Sequence, residues 1–154
     1  METGSGDAGR GRDVRRPWFE QLDDAECWRL LDDARFGRLA VAAAGELDIY
    51  PLDFAVDGTD VVFRTAEGTK LVEVVLTDLV ALEADHRDVA TGQAWSVVVK
   101  GTPRLLERFD EIYAAQSLGI RPWVAAPRER FVRITRTRIS GRRFSRGSPD
   151  EQPE

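Results

Sequence analysis

The chain has 154 residues, enough for one domain with a full core and short for two. Apolar residues make up 42% and charged residues 32%, an ordinary globular balance, and no apolar run approaches the roughly 20 residues that span a bilayer. One cysteine, Cys27, and one histidine, His86, exclude an internal disulfide, leave almost no room for a structural zinc site, and force any Ser-His-Asp or Cys-His unit onto that one histidine.

The lone thiol fits a reducing cytoplasm, and residues 1 to 16 lack the apolar segment of a secretory signal. The net charge of −5 is unevenly spread: residues 17 to 127 carry ten basic and twenty acidic side chains. Residues 128 to 144 carry seven arginines against a single acid, Glu129. Clustered arginine suits nucleic acid or an anionic ligand, but the overall charge repels a polyanion, so pairing with the acidic body of the fold or of a partner subunit is preferred.

Residues 1 to 16 and 145 to 154 are poor in apolar residues and are expected to be disordered tails around one domain, 17 to 144. Asp23 is placed to cap a helix, with Glu26 three residues on as in a capping box. Trp28, Leu31 and Ala34 fall on one face of it, and Gly37 follows its end. Cys27 lies in the same pattern and reads as core. A strand over 38–44 ends at Gly45; a second, 47–56, is interrupted by Pro51. Its apolar set shifts parity there, from Leu47 and Ile49 to Leu52, Phe54 and Val56, which predicts a bulge or an edge. Asp57-Gly58 signals a tight hairpin turn into a strand over 60–66.

A short helix is expected over 68–76, then strands over 79–85 and 95–107. His86 falls in the loop between those strands and reads as solvated. A helix over 109–118, a loop over 119–128 and a last strand over 130–144 follow. The parity shift between Ile134 and Ile139 predicts a bulge in that strand. Six strands paired mostly in sequence, with bulges and Gly/Pro bends, make a mainly β fold, a small closed antiparallel barrel with a few short helices. An open α+β sheet fits the same strands.

The segment Phe63 to Leu71 runs from a strand end through a turn into a helix start. Backbone N–H groups there are unpaired and the helix dipole is positive. Gly68 permits close approach, Thr69 offers a hydroxyl, and Arg64 and Lys70 bring two cations to one place. That is the make-up of a phosphate pocket. An ordinary joint, in which Thr69 caps the helix and Arg64 pairs with Glu67, accounts for the spacing better when it is taken alone. It is neither a Walker loop nor a dinucleotide fingerprint, because the glycine spacing of both is missing.

Gly37-Arg38-Leu39-Ala40-Val41, then Val62-Phe63-Arg64-Thr65 with Gly68-Thr69-Lys70-Leu71, then Trp95-Ser96-Val97-Val98-Val99-Lys100-Gly101 resemble the pyridoxamine 5′-phosphate oxidase-like family, the FMN-binding split barrels. The likeness covers roughly residues 20 to 144. It implies a homodimer of six-stranded split barrels with FMN in clefts between subunits, acting as an oxidoreductase on a small molecule. By position, Arg64, Thr65, Thr69 and Lys70 match the residues that hold the flavin phosphate. Ile49, Tyr50, Pro51, Leu52 and Asp53 match the strand whose backbone follows the flavin ring. Ser96 matches a polar side chain facing the ring, and Trp123 lies in a loop that reaches the cleft.

The last strand, Arg136 to Phe144, lacks the histidine that pyridoxamine phosphate oxidase uses for its substrate, so that reaction is not expected. The resemblance leaves open a deazaflavin in place of FMN, and a protein that sequesters a flavin or a haem-related ligand without turnover. No side chain stands out as a catalytic acid or base, no metal site is expected, and neither a membrane nor nucleic acid is an expected partner.

Overall fold

The structure, a computed structural model, describes residues 19–66, 79–121 and 129–145. The elements are β1 (Phe19–Gln21), α1 (Asp24–Ala34), β2 (Phe36–Ala43), β3 (Glu46–Asp57), β4 (Asp60–Ala66), β5 (Val80–Asp88), β6 (Gln93–Leu105), α2 (Phe109–Gln116) and β7 (Glu129–Ser145). The helix expected over 68–76 lies outside the described residues, as do both expected tails except Ser145, which ends β7.

All strand pairings are antiparallel, and the order β7-β4-β3-β2-β5-β6 closes on itself through a β6–β7 pairing. The six expected strands are the six of the barrel. β1 is a seventh that three residues without alternation could not announce; it pairs with Arg142 to Phe144 of β7, beyond the end of β4. One long strand thus pairs with β4 from Glu129 to Thr135 and with β1 from Arg142 to Phe144.

Inward side chains alternate along each strand. Leu39, Val41, Phe54, Val61, Phe63, Leu82, Val97, Val99 and Ile134 fill the interior and are almost fully buried. α1 packs against β7, β3, β5 and β6 and presents Cys27, Leu30 and Leu31 to this core. Cys27 is therefore a packing residue; burial, with the neighbouring Asp24 and Asp23, pushes its thiol up and away from the thiolate. A second apolar cluster forms on the outer face, where Ala115, Ile120 and Leu106 cover Ala55, Val62 and Phe131.

α1 begins as expected, with the Asp23 carboxylate accepting from the Glu26 N–H at 2.8 Å. The reciprocal half of the capping box is absent, because the Glu26 carboxylate is held by Arg29 and by Arg143 of β7. The helix end differs from expectation. Arg35, at φ 56°, adopts the left-handed cap and β2 starts at the next residue. Gly37 is already inside β2, where a Cβ would sit 2.3 Å from the Glu83 carbonyl oxygen. That glycine lets β5 approach; it does not end the helix.

The hairpins follow their turn residues. Ala44 and Gly45 both take positive φ between the Ala43–Glu46 pair, and Gly58 does so after Asp57. At Pro51 the edge is present and the bulge is not. β3 pairs without a shift to β2 from Glu46 to Asp53, while β4 joins its other side only from Phe54. The apparent parity change arises because both faces are apolar: Leu47 and Ile49 point out, Leu52 and Phe54 point in. In β7 the expected bulge is real. The register shifts between Lys100↔Arg138 and Gly101↔Arg136, and the extra residue, Thr137, donates its hydroxyl to the Lys100 carbonyl at 3.0 Å. His86 is in β5, opposite Trp95, and exposed; the strand runs three residues past its expected end.

Candidate functional site

Two polar groupings on the outer surface involve the expected residues. The first is centred on Arg64, near the end of β4. Its cross-strand partner on β7 is Phe131, and its Cζ lies 5.2 Å from the centre of that ring. One terminal nitrogen, Nη1, donates to the Ile120 carbonyl at 2.9 Å. The other, Nη2, is ion-paired with the carboxylate of Glu129, the first residue of β7. Nε is buried and has no hydrogen-bond partner among the described residues. The guanidinium is thus held by a strand, a turn and a ring, with one buried donor unspent. Such a donor is costly to leave unmet, and Arg136 Nε on β7 is a second one.

Thr65 follows Arg64 in the strand, opposite Arg130. Thr69, Lys70 and Glu67 lie outside the described residues, so the pairing of Arg64 with Glu67 is not on view. The partner that is on view, Glu129, was visible in the sequence only as the single acid within an arginine run.

The second grouping lies across β2, β5 and β6. Arg38 bridges two carboxylates, Nε to Glu83 at 3.1 Å and Nη2 to Asp85 at 2.8 Å. The Ser96 hydroxyl donates to Glu83 at 3.5 Å. Burial pushes the Glu83 carboxyl up, helped by the hydrogen bond and charge of Asp85, and Arg38 only partly offsets this. Around the cluster the sheet is apolar and bare: Leu47 is 85% exposed, Ile49 69% and Leu79 50%. An open cleft of about 430 Å³, lined by Asp33, Phe36, Asp85, His86 and Trp95 among others, adjoins the cluster at Asp85.

The chain brings some expected residues together and keeps others apart. Asp53 and Arg64 each flank the Phe54–Phe63 pair, so the 49–53 segment ends near the backbone of Arg64. Ile49 and Pro51 face outward, whereas Leu52 is buried in the core and offers only its backbone. Tyr50 is half-buried against the same core. Ser96 is separated from β3 by two whole strands, β2 and β5. Trp123 lies outside the described residues. Sequence reading missed Glu129, Ile120 and Phe131 around Arg64, and the Glu83–Asp85 pair beside Ser96. Strand register brings the strand residues together, and packing in the second apolar cluster places Ile120.

Three arginines of the run make contacts within the fold. Arg133 pairs with Asp57 and Asp60, Arg143 with Glu26, and Arg142 lies over the Phe19 ring. Among the described residues no group of three or more metal-binding side chains occurs, and no helix is long and apolar enough to cross a membrane.

Comparison with known proteins places this surface in context. A FAD-binding protein of Mycobacterium smegmatis is 38% identical, with a TM-score of 0.73, over 81% of this chain and 99% of that one. A FAD-binding protein of Mesorhizobium loti is 25% identical, with a TM-score of 0.70, over 82% and 99%. An uncharacterized protein of Mycobacterium tuberculosis is 41% identical over 96 residues, 62% of this chain and 86% of its own. The family model described as pyridoxamine 5′-phosphate oxidase matches residues 23–143, and the chain belongs to that family.

Proposed function

We propose that the protein is a flavin-dependent oxidoreductase that holds the phosphate end of its flavin at Arg64. The observation that carries this is the Arg64 guanidinium, anchored on three sides with its buried Nε unsatisfied. A phosphate oxygen is the acceptor that such a donor lacks. Thr65, Thr69 and Lys70 would complete the grip, and the backbone of Ile49 to Asp53 would run along the ring.

The sequence resemblance implied FMN. The two relatives whose names say FAD-binding favour FAD, which carries the same phosphate on its ribityl chain. A bound flavin supplies the electron chemistry; the chain binds it, orients a substrate and shields the site from water. The open cleft beside Asp85 and His86 has room for a small-molecule substrate.

The reading includes a homodimer. Ser96 and the 49–53 strand are separated by two strands on one sheet face, roughly 14 Å at ordinary strand spacing, and a second copy supplying one of them would let one ring meet both. The bare apolar face around Leu47, Ile49 and Leu79 suits such a partner. Flavin released from purified protein and separated by chromatography should be FAD, and a titration series should rank FAD above FMN and a deazaflavin. Tightest uptake of the deazaflavin would replace the cofactor. Flavin that binds but never passes electrons to any acceptor would favour a sequestering protein. No uptake of any flavin would overturn the proposal.

A further inference from the structure

Arg64 is not an empty-handed cation. Its Nη2 holds the Glu129 carboxylate, its Nη1 holds the Ile120 carbonyl, and its Nε has no hydrogen-bond partner among the described residues. To a guanidinium, a carboxylate and a phosphate are the same kind of partner, and each can take two nitrogens at once. Glu129 takes only one. We propose that Glu129 is a built-in stand-in for the ligand's phosphate, which a phosphate-bearing flavin must displace from Arg64. The inference rests on the reading of Arg64 as the phosphate ligand.

Three features of the site support exchange over a fixed structural pair. Glu129 is the first residue of β7, opposite Ala66 at the very end of β4, so turning its side chain disturbs no interior of the ladder. The carbonyl of Ile120 and the ring of Phe131 keep the guanidinium in place when the carboxylate leaves. The idle Nε gives an incoming phosphate a two-nitrogen grip that Glu129 does not make. Glu129 then sets a threshold: a ligand group held by one nitrogen gains little over the resident carboxylate, whereas a phosphate that takes both Nε and Nη2 gains more. It is a specificity-determining residue and takes no part in chemistry.

The experiment compares wild type with Glu129→Gln, using FMN, riboflavin and inorganic pyrophosphate as probes. Without the resident charge, FMN should bind roughly tenfold more tightly, the scale of one close charge–charge term, while riboflavin is unchanged. By linkage, the loss of melting temperature that Gln causes in free protein should vanish in FMN-saturated protein, because the pair is already broken there. A merely structural pair predicts the same loss in both. Glu129→Asp, with a shorter reach, should fall between. Unchanged or weaker FMN binding by Glu129→Gln, or an equal shift for riboflavin, overturns the inference while leaving the flavin reading intact. If wild type binds no flavin, the flavin reading fails separately and pyrophosphate decides. Tighter pyrophosphate binding by Glu129→Gln supports the exchange; equal or absent binding overturns it.

Discussion

Replacing Arg64 with alanine should weaken the fold as well as the site, and the structure gives the size of the effect. The change strips Glu129 of its ion pair, leaves the Ile120 carbonyl without its donor and removes the cation from the Phe131 ring. Breaking a fully buried ion pair from one side costs about 3–5 kcal/mol. Here the side chains of Arg64 and Glu129 remain 25% and 15% exposed, so water compensates in part. We expect about 2 kcal/mol from the pair, and about 0.5 kcal/mol from the ring contact. For a domain of this size the sum lowers the melting temperature by about 10 °C. Thermal and urea denaturation followed by circular dichroism measure it. Adding Glu129→Gln to Arg64→Ala should recover about 1 kcal/mol, because the stranded carboxylate is the larger part of the cost. A loss below about 1 kcal/mol, or no recovery in the double variant, would refute this account of the cluster.

Two further predictions concern the sheet that carries the site. Gly101→Ala would put a Cβ 2.2 Å from the Thr135 carbonyl oxygen at the β7 bulge. It should cost about 3 kcal/mol or abolish folding, whereas Gly45→Ala, strained at φ 78° but in open space, should cost about 1 kcal/mol. Comparable losses at both positions in denaturant titrations would contradict the close approach. Glu83→Gln addresses the Arg38 cluster. A carboxyl whose folded pKa is raised stabilises fully below its unfolded value, and that stabilisation is lost as pH rises through the folded one. Wild type should therefore lose stability as pH climbs above the ordinary glutamate range, and Glu83→Gln should flatten that slope. An unchanged slope in melts between pH 4 and pH 8, a range bracketing the carboxylate-to-neutral titration, would show that Glu83 is not the group.

Much of the barrel was legible because hydrophobic alternation and turn chemistry are local. Asp57-Gly58 marked a hairpin, and the shift between Ile134 and Ile139 marked a bulge, since each is a property of a few adjacent residues. The misreadings arose where tertiary context decides. Gly37 sat where a helix-ending glycine belongs, yet it serves the approach of β5, which comes more than forty residues later. Pro51 suggested a bulge because the outer face of β3 is apolar too, and one strand's sequence does not say which face is core. The site was legible at Arg64 but not around it. Its partners Ile120 and Glu129 come from segments 56 and 65 residues on; strand register delivers Glu129, and packing of the segment after α2 delivers Ile120.

The most direct measurement of the central claim is an equilibrium titration of wild type and Arg64→Ala with FAD, FMN and riboflavin, below the melting temperature of the variant. If Arg64 holds the flavin phosphate, wild type binds FAD and FMN at least about 30-fold more tightly than Arg64→Ala, the loss expected when a buried charge pair is truncated. Both proteins then bind riboflavin with the same, weaker affinity. Equal affinities of the two proteins for FAD and FMN would contradict it.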